Sequence, residues 1–116
     1  MKMITAIIQP FMVSKVIHQL ESVKGFPGMT VSDVRGFGRE KMQQEAGHRH
    51  RMSDDVVDFV KKVRMEIAAS DAVADEIVKI IAAAAHTGNQ GDGKIFVWQL
   101  EGALRIRNGE TNETAL

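Results

Sequence analysis

Apolar residues recur along this chain in two rhythms, and each rhythm sets out elements of a different kind. Residues 2–9 carry β-branched Ile and Thr and stop at Pro10, which predicts a strand. Ser14 is placed to cap a helix running to about Lys24, with Val16, Ile17, Leu20 and Val23 on one face. Gly25, Pro27 and Gly28 end it. Met29 to Gly38 returns to period two: Met29, Val31, Asp33, Arg35 and Phe37 alternate with Thr30, Ser32, Val34 and Gly36. Residues 39–55 have no period and are polar, which predicts a loop of about 17 residues. Loops beyond roughly 12–15 residues are uncommon in compact domains and are usually functional. From Val56 to Ala69 the pattern is again a strand's, with Val57, Phe59, Val63, Met65 and Ile67 apolar.

Ser70-Asp71 suits the start of a second helix, whose inner face is Val73, Ile77, Ile80, Ile81 and Ala84. His86-Thr87-Gly88 closes it, with glycine in the usual terminating role. Lys94 to Leu100 is a fourth strand, residues 101–110 a turn followed by a short extended segment, and residues 111–116 a frayed end. The order is β-α-β, long loop, β-α-β. Two halves of this size fit the ferredoxin-like split sheet, although alternation by itself supports α/β nearly as well as α+β. Residues 1–116 make a single domain with a modest core.

Fifteen acidic and fifteen basic residues balance, so no basic excess points to nucleic acid. No apolar run approaches the roughly 18 residues that span a bilayer. The first residues reach Pro10 too soon for a signal peptide. There is no cysteine, which removes disulfide and thiolate chemistry and is compatible with a cytoplasmic location.

The chemistry concentrates in Thr87-Gly-Asn-Gln-Gly-Asp-Gly-Lys94, between an alanine-rich helix and a β-branched strand. Gly88, Gly91 and Gly93 allow positive φ and close approach to a ligand. Their N–H groups can line an anion-binding concavity, with Lys94 at its rim. The spacing matches neither the P-loop nor the dinucleotide fingerprint, and a plain connecting turn is the blander reading. Arg105 and Arg107, read as i and i+2 of an extended segment, would point to one side and converge on one polyphosphate. Two solvated arginines on an edge are the plainer alternative.

These residues resemble the PII nitrogen regulatory signalling proteins. The resemblance rests on four segments in order: Met1-Lys-Met-Ile-Thr-Ala-Ile-Ile-Gln-Pro-Phe11, Gly28-Met-Thr-Val-Ser-Asp-Val-Arg-Gly-Phe-Gly-Arg39, the glycine loop, and Arg105-Ile-Arg107-Asn-Gly-Glu110. It implies an α+β, ferredoxin-like double βαβ with an antiparallel sheet, a long T-loop (39–55) between strands 2 and 3, a B-loop (87–94), a C-terminal segment (105–110), and a homotrimer. It implies ATP and ADP bound between subunits, with Mg²⁺ accompanying ATP. The positions implied to hold nucleotide are Ile7, Thr30, Gly36, Phe37, Gly38, Arg39, Glu40, Lys62, Thr87, Gly88, Gly91, Asp92, Gly93, Lys94, Arg105 and Arg107. Lys62 matches a lysine that meets the 2-oxoglutarate effector.

Three departures qualify the match. Asn89 stands where family members commonly have lysine. Glu40 replaces a glutamine that joins the Mg²⁺–ATP–2-oxoglutarate site. Glutamate can still ligate Mg²⁺, yet its charge ~4 Å from a dianion costs on the order of 1–4 kcal/mol per pair, so weak 2-oxoglutarate binding is expected. The loop lacks the tyrosine that uridylylation needs, since the chain has none. It also runs about three residues longer than the usual pattern and resembles more the branch found beside heavy-metal efflux genes. His48 and His50, with Glu45, Asp54 and Asp55, are a minor candidate metal site, opposed by Arg49 and Arg51; a solvated, partner-facing loop is the plainer reading.

No catalytic constellation is visible, and the chain is not expected to be an enzyme. The expected function is regulation of a target protein, a transporter or metabolic enzyme docked by the T-loop, with any membrane contact only indirect through a transporter. The alternative is a metal- or anion-responsive sensor on the same fold, linked to efflux or transport.

Overall fold

The computed structural model describes residues 1–38 and 58–116. Four strands form one antiparallel sheet: β1 (Lys2–Ile8), β2 (Thr30–Gly36), β3 (Val60–Ala69) and β4 (Gly93–Gln99), in the order β2-β3-β1-β4. Helices α1 (Val13–Leu20) and α2 (Asp71–Ala85) pack together and on one face of the sheet. This is the ferredoxin-like α+β arrangement that the pattern and the resemblance predict.

The register explains why the sheet has two unlike faces. Ile4, Ala6 and Ile8 of β1 stand opposite Ile67, Met65 and Val63 of β3. All six are buried beneath Val16 and Leu20 of α1 and Ile77 and Ile81 of α2. Burying an aliphatic side chain of this size stabilises by about 1.5–3 kcal/mol. The alternate residues lie on the face the helices leave uncovered. There Phe96 and Trp98 of β4 are 50% and 48% exposed. The Thr5 hydroxyl, buried at the middle of that face, has no hydrogen-bond partner among the described residues.

Boundaries differ from expectation in instructive ways. Ser14 does not cap α1. Pro10–Met12 forms a 3-10 turn that runs directly into the helix, so the first orphan N–H groups are met by backbone: Met12 N–H donates to Gln9 O at 3.0 Å. The helix ends at Leu20 rather than Lys24, because Val23 and Phe26 donate backward into successive turns. Ser70 is the N-cap of α2, but its side chain makes no capping bond. Ala74 and Ala85 join Ile77, Ile81 and Ala84 in the buried stripe, while Val73 and Ile80 are its half-buried margins. β3 begins at Val60; Asp58 and Phe59 precede it outside the ladder, and the earlier part of the expected strand lies outside the described residues.

The C-terminus is not frayed. Leu104 bridges Thr111, Arg105 N–H donates to Glu110 O at 2.8 Å, Asn112 N–H donates to Ala103 O at 2.7 Å, and Asn112–Ala115 is a 3-10 turn. Arg105 donates to the carbonyls of Ala115 and Leu116 at 3.4 and 3.1 Å, which holds the last residues against the hairpin.

Gly93 is where the backbone is most demanding. Its φ is +111°, and a Cβ there would fall 1.7 Å from the Ile7 carbonyl oxygen. Gly28 also has positive φ, +99°, but nothing lies within 4 Å of the Cβ it lacks. Gly28→Ala is therefore expected to cost about 1–2 kcal/mol from backbone conformation alone. Gly93→Ala must also displace strand from strand and should exceed about 4 kcal/mol. Paired chemical denaturation curves check this; equal losses at the two positions would contradict it.

Candidate functional site

The glycine loop is built by Asp92. Its carboxylate turns back to the end of α2 and accepts from Thr87 N–H at 2.7 Å, from Gly88 N–H at 2.9 Å and from the Thr87 hydroxyl. Thr87 Oγ1 in turn accepts from Asn89 N–H at 3.1 Å. The helix does not end on a left-handed glycine as expected. His86 is the extended C-cap, and Asp92 gathers the amides that follow it. Hydrogen bonds to its charged form, those of Thr87 first, hold the Asp92 carboxyl below the usual carboxylate range, with a smaller contribution from the nearby His86. His86 Nδ1 is 3.6 Å from Asp92 Oδ2.

Gly88, Gly91 and Gly93 all have positive φ, at 88°, 91° and 111°. Each uses conformational freedom a side chain would deny. One side chain braces the loop from beneath and a second lies against it. Lys62 Nζ donates to the Gly91 carbonyl, and the Gln9 amide nitrogen would be 3.0 Å from a Cβ on Gly91. Burial pushes the Lys62 ammonium's pKa down, and the charge of Asp92 opposes that shift. Gln9 was not singled out from the sequence. The available signal was its place at the end of β1 just before Pro10, where the sheet register delivers it beside the loop.

The sheet register gathers much of the expected nucleotide set at one end. Ile7 pairs with Lys94 on one side and Arg64 on the other, and Lys62 pairs with Val34. These residues share the face that the helices leave open. Gly36 lies alongside, where its missing Cβ would be 3.7 Å from Lys62 Cγ. Phe37 continues from it and meets Phe59 edge-on, ring centroids 6.0 Å apart; Gly38 follows, exposed. Lys94 is exposed at the mouth of the loop. On the helix side of the loop is a cleft of about 300 Å³ lined by Ile8, Ile81, Ala85, His86, Asp92 and Lys94, among others.

Thr30, Arg105 and Arg107 are not part of that cluster. Thr30 pairs with Glu66, four residues along β3 from Lys62, which is about 13 Å. β4 carries the chain six residues, about 20 Å, from Gly93 to Gln99 before the hairpin holding the arginines begins. The extended i, i+2 geometry expected for Arg105 and Arg107 is also corrected. Residues 106–108 form a turn, closed by Gly109 N–H donating to Arg105 O at 2.8 Å. Arg105 bends toward Glu110, at 3.2 Å, and the C-terminal carbonyls, while Arg107 is exposed. Arg39, Glu40, His48, His50 and the whole 39–55 loop lie outside the described residues. Among the described residues, no group of three or more His, Cys, Asp or Glu is placed to hold a metal ion, and no helix is long and apolar enough to cross a membrane.

Comparison with known proteins gives one consistent answer. The family model for nitrogen regulatory protein P-II matches residues 1–110. The chain is 47% identical over 116 residues to nitrogen regulatory protein P-II of Pasteurella multocida, covering all of both chains. It is 44% identical, again over the whole of both, to nitrogen regulatory protein GlnK of Escherichia coli K12. Among solved structures it is similar to Arabidopsis thaliana PII bound to citrate, with a TM-score of 0.78 and 35% identity, covering 99% of this chain and 91% of that one.

Asp92 has a depressed pKa when folded, so its contribution is complete above the unfolded pKa and is lost as pH falls through the lower folded value. Amide exchange at Thr87 and Gly88 should stay slow through neutral and mildly acidic pH. Protection should fail only below the ordinary carboxylate range of about 4. Asp92→Asn should speed exchange at both amides several-fold at neutral pH. Unchanged exchange in that variant would remove Asp92 from its organising role.

Proposed function

The chain belongs to the nitrogen regulatory protein P-II family, and from that premise we propose that it is a trimeric signalling protein that binds ATP and ADP between subunits. As a member of that family it is a regulator and not a catalyst. The observation that supports the inter-subunit reading most is the division of the candidate residues. Ile7, Gly36, Lys62, Lys94 and the 87–94 loop gather at one end of the sheet, while Thr30 and the Arg105–Arg107 hairpin are rooted away from it. A second copy supplies the missing arginines and threonine. The same association covers Phe96, Trp98 and the orphaned Thr5 hydroxyl on the open face, where an unmet buried hydroxyl costs about 1–3 kcal/mol.

The residues fit a nucleotide polyphosphate. The glycine loop presents amides, Lys94 adds an exposed cation, and Arg107 is free to contact phosphate from the neighbour. Glu40 is the candidate for Mg²⁺, which would neutralise phosphate charge when bound. Residues 39–55 dock the target, a transporter or metabolic enzyme, and the protein works in the cytoplasm. The metal-responsive alternative rests on His48 and His50, with Glu45, Asp54 and Asp55, and on the loop's likeness to the efflux-linked branch; no described feature favours it, and the relatives named above are P-II and GlnK proteins.

Lys94→Ala or Arg107→Ala should each weaken ATP and ADP binding by about 1.5–3 kcal/mol, as calorimetry would measure. Co-refolding the two variants tests the shared site directly. Each mixed trimer can pair an intact loop from one chain with intact arginines from the next, so about one quarter of sites should regain normal affinity. No recovery would mean that one chain carries both groups.

Glu40 adds an anion beside the effector's carboxylates. 2-Oxoglutarate should therefore tighten Mg-ATP binding little, and Glu40→Gln should restore coupling. Coupling above tenfold in the unaltered chain, about 1.4 kcal/mol, would refute the electrostatic argument.

A further inference from the structure

The helix-side face of the sheet carries, at its β2 edge, a cationic feature that nucleotide binding does not use. Arg35 of β2 stands directly opposite Lys61 of β3. Like charges in register oppose each other and are destabilising. Both residues are exposed. Arg35 is held instead over the Phe59 ring, 5.2 Å from its centroid, and Phe59 meets Phe37 edge-on. The two rings are 42% and 37% exposed. A cleft of about 320 Å³ runs past this pair, lined by Pro10, Asp33, Val34, Arg35, Lys61 and Lys62.

Lys62 is committed to the Gly91 carbonyl on the other side. Arg35 and Lys61 therefore face the cleft, and among the described residues that line it Asp33 is the carboxylate. Contact with the Phe59 ring holds the guanidinium over its face, and its N–H donors can take a carboxylate in fork geometry. Half-exposed aromatic residues beside an arginine are the composition of protein-interface anchors rather than of enclosed ligand cavities.

We propose that Arg35 and Lys61, backed by Phe59 and Phe37, form an anchor for an acidic segment of the partner protein. The proposal rests on the docking role of residues 39–55, because in chain order that segment lies between the end of β2 and the start of β3, which carry Arg35 and Lys61. It goes further in assigning a fixed, strand-borne contact and its charge.

The test uses the full-length chain and a fluorescent, end-blocked peptide of alternating glutamate and leucine, followed by anisotropy. Saturable binding is expected, weakened about tenfold by Arg35→Gln or by Lys61→Gln and abolished in the double variant. Lys24→Gln, remote from the cleft, should bind as the unaltered chain does. Circular dichroism and nucleotide affinity should not change in any variant, which separates lost docking from lost folding. Deleting residues 43–53 tells the two readings apart. Peptide binding that survives the deletion, while capture of the native partner fails, supports both the loop and the anchor. Peptide binding lost on deletion, or unaltered in the double variant, overturns the anchor and leaves the loop reading standing. Free succinate or phosphate that displaces the peptide at equal charge concentration would show a small-anion site and also overturn it.

Discussion

Gly93 lies against the Ile7 carbonyl with no room for a side chain, and the position of the whole candidate site follows from that approach. It fixes where β4 starts on β1, and so which residues of the neighbouring strands come level with the loop. Once Gly93 is paired with Ile8, Lys94 must pair with Ile7 on the open face. Asp92, one residue earlier, is then near enough to α2 to collect the amides of Thr87 and Gly88. The loop is tied at three points: strand pairing at Gly93, the carboxylate of Asp92, and the Lys62 ammonium beneath Gly91. Amides fixed before a ligand arrives lose little freedom when it binds, which favours affinity.

A consequence of antiparallel topology is that the two ends of the sheet serve different tasks. β1 runs toward the loop and β4 runs away from it, so the hairpin that follows β4 begins at the other end. No local rearrangement within one chain shortens a strand of seven residues. On the proposed reading, a site that draws on both the loop and the hairpin joins two copies. The exposed apolar residues of the open face supply a reason for those copies to associate, through removal of Phe96 and Trp98 from water.

The fold was legible because its signals are periodic. Alternation in β2 and β3 and the i, i+3, i+4 spacing in α2 survive in the structure with shifts at the ends only. What could not be read were choices between local partners. Ser14 has a capping side chain, yet Pro10 had already started a turn that met the helix's first amides. Arg105 and Arg107 have the spacing of an extended pair, yet Gly109 closes a turn around them. The resemblance places Asp92 among the nucleotide-binding positions, and its carboxylate is bonded to Thr87 and Gly88 as the organiser of the loop, which spacing alone does not reveal. Each outcome depends on residues brought close by the fold rather than by sequence distance.

Lys62 connects the two parts of the molecule that the proposed function requires to communicate. Its backbone belongs to β3, three residues after Phe59 and close to the end of the 39–57 segment. Its ammonium belongs to the loop through Gly91, where burial lowers its pKa and leaves it less well solvated than an exposed lysine. A carboxylate or phosphate arriving on the open face offers that ammonium a stronger, charged partner than a carbonyl. If Lys62 moves to it, Gly91 loses its brace and the start of β3 feels the change. The strength of the coupling is set by how differently the anion binds with Lys62 on the carbonyl and with Lys62 released. A ligand indifferent to that exchange would bind without any signal reaching the strand ends.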